Sequence, residues 1–257
     1  MDIEYFEKLL KGNNAIRIDE STIIFNDFEV YNLITKKSKY YRGINELVDD
    51  NKAIKNKIIE TKEFPTGYEG RGSSKLSGEL GGGFDHAKER GKPIASKKLL
   101  NATLNFGTSK GNSVDKVLSR FQSKYANADK EYGVAVDDNG YVHEHMSGGT
   151  SSVGVTGGKG MTIIHNHPSG SNFSDSDLLA VASTQNKGVI ATSSNARKKS
   201  TYRFEKTDKF KAKEFIKAVG NAKWDKSYSY DKGADWWLKK NQKTYGYKYT
   251  SSGVPKS

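Results

Sequence analysis

Apolar residues in the first positions recur at helical spacing. Ile3, Phe6, Leu9 and Leu10 share one face and predict a short helix over residues 2–11. Residues 15–41 switch to short β-type runs, AIRID, TIIF, FEVYNLIT and KYYR, broken by Asp, Asn and Lys clusters. That pattern predicts a meander. Helical spacing returns over 44–60 through Ile44, Leu47, Val48, Ile54, Ile58 and Ile59, so residues 1–64 read as a small α+β module. From 65 to 112 periodicity gives way to Gly and charge, and the chain reads as a linker or loop.

The second half is strongly patterned. Ser113 opens a helix over 113–126 with Val114, Val117, Leu118, Phe121 and Tyr125 on one face. Strands follow at 132–137, 141–146, 151–155 and 161–165, with Asp138-Asn139-Gly140 and Gly157-Gly158-Lys159-Gly160 as turns. A helix over 175–186 and strands at 188–193 and 201–206 complete a unit over 113–206. Two more helices are predicted, at 208–219 and 231–243, and Thr250 to Ser257 reads as disordered. The fold class is α+β: a mixed sheet flanked by helices, preceded by the small module and followed by a basic helical extension over 207–257.

Composition narrows the options. The chain has 257 residues, enough for one large or two modest cores, yet only 34% are hydrophobic. Mean hydropathy is −0.76, which points to much surface and loop. No apolar run reaches the ~18 residues of a membrane span, and the acidic start Met1-Asp2-Ile3-Glu4 lacks a signal-peptide pattern. A cytoplasmic location, with no membrane partner, is the expectation. There is no cysteine, so disulfides and thiolate metal sites are excluded and any metal must use His and carboxylates. Net charge is +12; residues 196–257 hold 17 Lys or Arg against 6 Asp or Glu, which leaves residues 1–195 at +1. All three Trp fall in that tail. Basic residues among aromatics suit a nucleic acid, with Lys198, Lys199, Arg203, Lys239 and Lys240 as candidate contacts. They equally suit a helical extension whose aromatics pack while its lysines stay solvated.

The candidate chemistry sits in MTIIHNHPSGSNFSDSDLL, residues 161–179. His165 and His167, two apart at a strand end, leave one face of it. Asp177 falls in the first turn of the next helix. Two imidazoles and a carboxylate at such a corner make a three-ligand metal site with one position open, the catalytic rather than the structural zinc pattern. Ser174 and Asp177 also read as a capping box, which accounts for both without metal but not for the paired histidines.

His165-Asn166-His167-Pro168, a short loop, Ser174 and Asp177 resemble the signature of the JAMM metallopeptidases and isopeptidases. The His-Asn-His-Pro-Ser-Gly form is similar to RadC-like proteins and to JAMM domains of phages and mobile elements. Six residues, Pro168 to Phe173, separate the second His from Ser174, one fewer than the family spacing. The resemblance covers about residues 113–206 and implies Zn2+ on His165, His167 and Asp177. It implies a glutamate base at the start of an earlier strand that follows a helix; Glu131 is the matching position. Ser174 would then steady the oxyanion. Glu144, within His143-Glu144-His145, reads as an exposed hairpin acid rather than the base or part of a second metal site, and His86 as a lone exposed imidazole. The Gly-rich strings near 67–72 and 81–83 lack the Lys-Ser/Thr ending of a phosphate loop.

Three functions follow as expectations. The first is a zinc hydrolase cleaving a peptide or isopeptide bond of a protein or peptide substrate. The second is a RadC-like protein whose basic tail binds nucleic acid while the metal domain is accessory. The third is a phage or mobile-element structural protein tied to head assembly, on resemblance that includes the Trp-Leu-Lys-Lys-Asn-Gln-Lys-Thr-Tyr-Gly-Tyr ending. An HNH nuclease is excluded, because such nucleases spread those three residues across a ββα hairpin.

Overall fold

A computed structural model describes residues 3–18, 21–50, 92–93, 113–195, 198–222 and 230–253. The predicted helix over 44–60 is described only to residue 50. His86, Trp224 and nearly all of 65–112 lie outside the described residues.

The fold is α+β. The N-terminal part runs α1 (Ile3–Gly12), β1 (Ala15–Arg17), β2 (Thr22–Phe25), β3 (Glu29–Asn32), β4 (Ser38–Tyr40) and α2 (Ile44–Asp50). Its strands form an antiparallel meander in the order β1-β2-β3-β4. Phe6, Leu10, Ile16, Ile18, Ile24, Leu47 and Val48 close a small core between the helices and one face of that sheet. The other face, through Ile23, Phe25 and Tyr31, joins the main core.

The larger sheet is built from β5 (Lys92–Pro93), β6 (Tyr132–Val136), β7 (Val142–Ser147), β8 (Thr162–His167), β9 (Gly188–Asn195), β10 (Lys198–Lys206) and β11 (Tyr247–Ser252). Its strand order is β11-β10-β9-β8-β6-β7-β5. Only the β8–β9 pair is parallel, and α4 (Asp175–Ser183) makes that crossover. α3 (Ser113–Tyr125) covers one face through Val117, Leu118 and Phe121 against Val134, Val136, Ile164 and Ile190. α4, α5 (Ala212–Val219) and α6 (Tyr230–Tyr245) cover the other, around Phe173, Leu178, Tyr202, Phe204 and Phe215.

Several expectations need correction. Residues 151–155 form no strand. β6 is already paired on both edges, to β7 and β8, so Val153 and Val155 cross over its face at Gly133 instead. A Cβ on Gly133 would stand 3.2 Å from Val153 Cγ1 and collide with Val155 Cγ2. Residues 250–252 are not disordered but end β11, whose Tyr247 and Tyr249 alternate into the core. The described parts of the tail, 207–222 and 230–253, therefore belong to the sheet and its cover: Trp237 stacks on Tyr245 and both pack against Phe215, while Trp236 is exposed. His145 is not exposed. A bulge at His143 breaks the alternation, so His145 shares Val142's face under α3, where its Nε2 and the Tyr125 hydroxyl share a 2.8 Å hydrogen bond. Burial and nearby Lys124 push its pKa down to about 4, which keeps it neutral. The bulged His143 pairs with Asp137 at 2.8 Å.

Candidate metal centre

The topology explains why distant residues meet. β8 runs antiparallel to β6 with Gly133 opposite His165. Two steps on, the same register sets Glu131 opposite His167, and alternation puts all four positions on one sheet face. Because β8 and β9 are parallel, α4 starts beside the carboxyl end of β8, where open α/β units place ligands. The first turn of α4 delivers Asp177 there.

His165, His167 and Asp177 come together, with one possible ligand atom from each within 4.8 Å of the others. His165 Nε2 lies 3.4 Å from Asp177 Oδ1, and His167 Nε2 lies 3.5 Å from Asp177 Oδ2. Donors on a tetrahedral zinc with ~2.0–2.1 Å bonds stand about 3.3–3.4 Å apart. Each histidine has one Asp177 oxygen near that edge length, Oδ1 for His165 and Oδ2 for His167, so a single donor oxygen must shift to serve both. The two ring nitrogens, 2.8 Å apart, need to separate by about half an ångström to share one ion. His167 Nδ1–H donates to the Ser171 carbonyl at 3.0 Å, which turns the Nε2 lone pair inward, as the outer hydrogen bond of a ligating histidine does.

Charge favours a cation here. Burial works against a protonated His167, but Asp177 and Glu131 outweigh it and push its pKa up to about 9. Burial would likewise raise Asp177, but His165 and His167 hold it well below the usual carboxylate range.

Ser174 plays the capping role in full. Its hydroxyl accepts from the Asp177 N–H at 3.1 Å and donates to Asp177 Oδ2 at 2.8 Å, while its own N–H donates to the same oxygen at 2.8 Å. Capping and the metal cluster thus coexist. Oδ2 is fixed by Ser174, and Oδ1 faces His165.

Glu131 lines the same cleft and is 8% exposed. Its backbone is held on both sides. Its N–H donates to the Gly149 carbonyl and its carbonyl accepts from the Gly148 N–H, each at 2.7 Å. On the β8 side the buried Asn166 side chain accepts from the Tyr132 N–H at 2.7 Å and donates to the Lys130 carbonyl at 3.0 Å. The residue between the two histidines therefore clamps both peptide groups flanking the acid, a role that sequence reading missed. Glu144 is occupied elsewhere: Oε2 accepts from the Thr156 N–H at 2.8 Å.

A second missed group anchors the ligand loop. Asn172 donates from its backbone N–H to Asp231 Oδ1 at 2.7 Å and from Nδ2 to the Tyr249 hydroxyl at 3.0 Å. Tyr249 in turn donates to Asp235 Oδ1 at 3.0 Å. These partners sit on α6 and β11, so the basic tail braces the loop that carries Ser171.

Three of the candidate nucleic-acid contacts are already engaged within the protein. Arg203 is ion-paired with Asp115, and Lys239 with Asp235 at 2.7 Å. Lys240 sits 4.6 Å from the Trp236 ring centre. Lys199 is exposed on β10, and Lys198 begins that strand. Among the described residues no helix is long and apolar enough to cross a membrane. Comparison with protein-family models, curated proteins and solved structures found no match.

Proposed function

We propose that the chain is a zinc-dependent, JAMM-like hydrolase that cleaves an amide bond, in a peptide or an isopeptide. The observation that carries this reading is the convergence of His165, His167, Asp177 and Glu131 on one cleft of about 430 Å³. His165, His167 and Asp177 would hold the ion. When bound, zinc supplies Lewis acidity to a water and to the scissile carbonyl, with the pKa of such a water near ~7.

The chain's own residues do the rest. Glu131 takes a proton from the attacking water and returns it to the leaving nitrogen. Asn166 and the 148–149 turn hold the backbone of that acid still. Ser174 fixes Asp177 Oδ2 and so orients the carboxylate. Its hydroxyl proton is committed to Asp177, so we assign Ser174 first as a positioning residue. An oxyanion contact would require its hydroxyl to turn toward substrate.

The test is metal analysis paired with a cleavage assay on a peptide and isopeptide library. About one zinc per chain is expected from three ligands. His167→Ala should lose it, whereas Glu131→Gln should keep zinc and lose cleavage. Full zinc retention by His167→Ala refutes the ligand set. Unchanged cleavage by Glu131→Gln refutes the base.

A further inference from the structure

We infer that the cleft carries a subsite for one uncharged aliphatic side chain, belonging to the substrate residue beside the scissile bond. This rests on the hydrolase reading and names its substrate class. Ile163 lies two residues before His165 on the same face of β8, about 7 Å along the strand. Ala180 lies three residues after Asp177, about 4.5 Å along α4. Val155 closes the third side, seated over Gly133, which pairs with His165. All three line the cleft and are only partly buried. An apolar wall therefore begins within one side chain's reach of the candidate ligands.

Two polar side chains that line the cleft, Asn186 and Thr184, are already bonded within the protein. Asn186 Oδ1 accepts from the Gly158 N–H at 2.8 Å, and its Nδ2 donates to the Thr156 carbonyl and to Thr184 Oγ1, each at 3.1 Å. Thr184 Oγ1 donates to the Ala180 carbonyl at 3.0 Å. A charged side chain placed there would lose its water and gain no partner. Among the described residues that line this cleft there is no Lys or Arg, and only Glu131 and Asp177 are acidic. A carboxylate or phosphate on the substrate meets no Lys or Arg among the described lining residues. An aliphatic group meets Ile163, Ala180 and Val155, and its burial is favourable.

The test uses zinc-binding probes rather than turnover. N-acetyl-glycine, -leucine, -glutamate and -lysine hydroxamates are titrated calorimetrically into the zinc-loaded full chain. The leucine probe is expected to bind at least about tenfold tighter than the glycine probe, by the usual discrimination of an apolar pocket. The glutamate and lysine probes should bind no tighter than glycine. Ala180→Phe, whose ring would fill the pocket, should bring leucine down to the glycine level. Equal affinities for leucine and glycine, a preference for a charged probe, or no binding of any probe to the zinc-loaded chain overturns the subsite. A chain that retains no zinc instead fails the hydrolase reading, and the subsite falls with it.

Discussion

Replacing Asn166 with Ala removes the clamp on Glu131. Asn166 is fully buried, at 0% exposure, and its amide satisfies the Tyr132 N–H and the Lys130 carbonyl. Truncation leaves one donor and one acceptor with lost partners, at ~1–3 kcal/mol for each group that water does not reach. Lys130 lies just outside the strand, where water repairs part of the loss, so the expected destabilisation is about 2–4 kcal/mol. At ~2–4 °C per kcal/mol for a chain of this size, the melting temperature should fall by roughly 5–15 °C. Calorimetric melts in chelator give that number without metal. Amide exchange supplies the local readout, since the Tyr132 N–H should lose protection while the centre of β6 keeps it. Asn166→Asp retains the acceptor but turns a carboxylate toward the Lys130 carbonyl, and should be no better than Ala. An Asn166→Ala chain that melts with the unaltered protein, and still protects Tyr132, refutes the clamp.

Other expectations follow from the same geometry. Zinc at 100 times its dissociation constant should stabilise the chain by ~2.7 kcal/mol relative to chelator; the shift should vanish in His165→Ala, and its persistence there would mean that the metal binds elsewhere. Burial alone would raise the Glu29 carboxyl, but Lys213, Lys217 and Ser38 outweigh it and lower it to about 2. Its folded pKa lies below the unfolded one, so this stabilisation is complete above about pH 4.5 and is lost as pH falls toward 2. With both lysines 31% exposed and partly screened, it amounts to about 2 kcal/mol; urea unfolding at neutral and acid pH should show the loss in the unaltered chain and less of it in Glu29→Gln. Gly133→Ala drives a methyl into Val155 and should cost about 1–3 kcal/mol. It should also weaken the leucine hydroxamate more than the glycine one; a normal melt and normal probe binding would mean that Val155 has room to move.

The ligand set was readable because it is local and periodic. Two histidines on alternate strand positions and a capping acid at the third residue of the next helix need no tertiary knowledge. Glu131 is singled out by the family resemblance, whose order of helix, acid and strand it matches. Asn166 was hidden because a buried amide bonding a distant backbone leaves no periodic mark. The same holds for Asn172, whose partners Asp231 and Tyr249 lie far along the chain. Val153 and Val155 alternate as a strand would, but whether such a run pairs depends on a free edge, and β6 has none. β11 was missed because its outward positions are Lys and Thr beside a short Tyr-x-Tyr pattern, which resembles a polar end until a partner strand stands beside it.

Asn172's attachments have a bearing on biosynthesis. The imidazoles and the capping acid leave the ribosome well before Asp231 and Tyr249. During that interval the loop bearing the Ser171 carbonyl has nothing from α6 or β11 to hold it, and His167 lacks a braced orienting partner. A nascent chain then owns every donor atom without their final alignment. For a chain that folds as it emerges, completion of β11, rather than the appearance of Asp177, is the step that braces the loop beside the candidate metal centre.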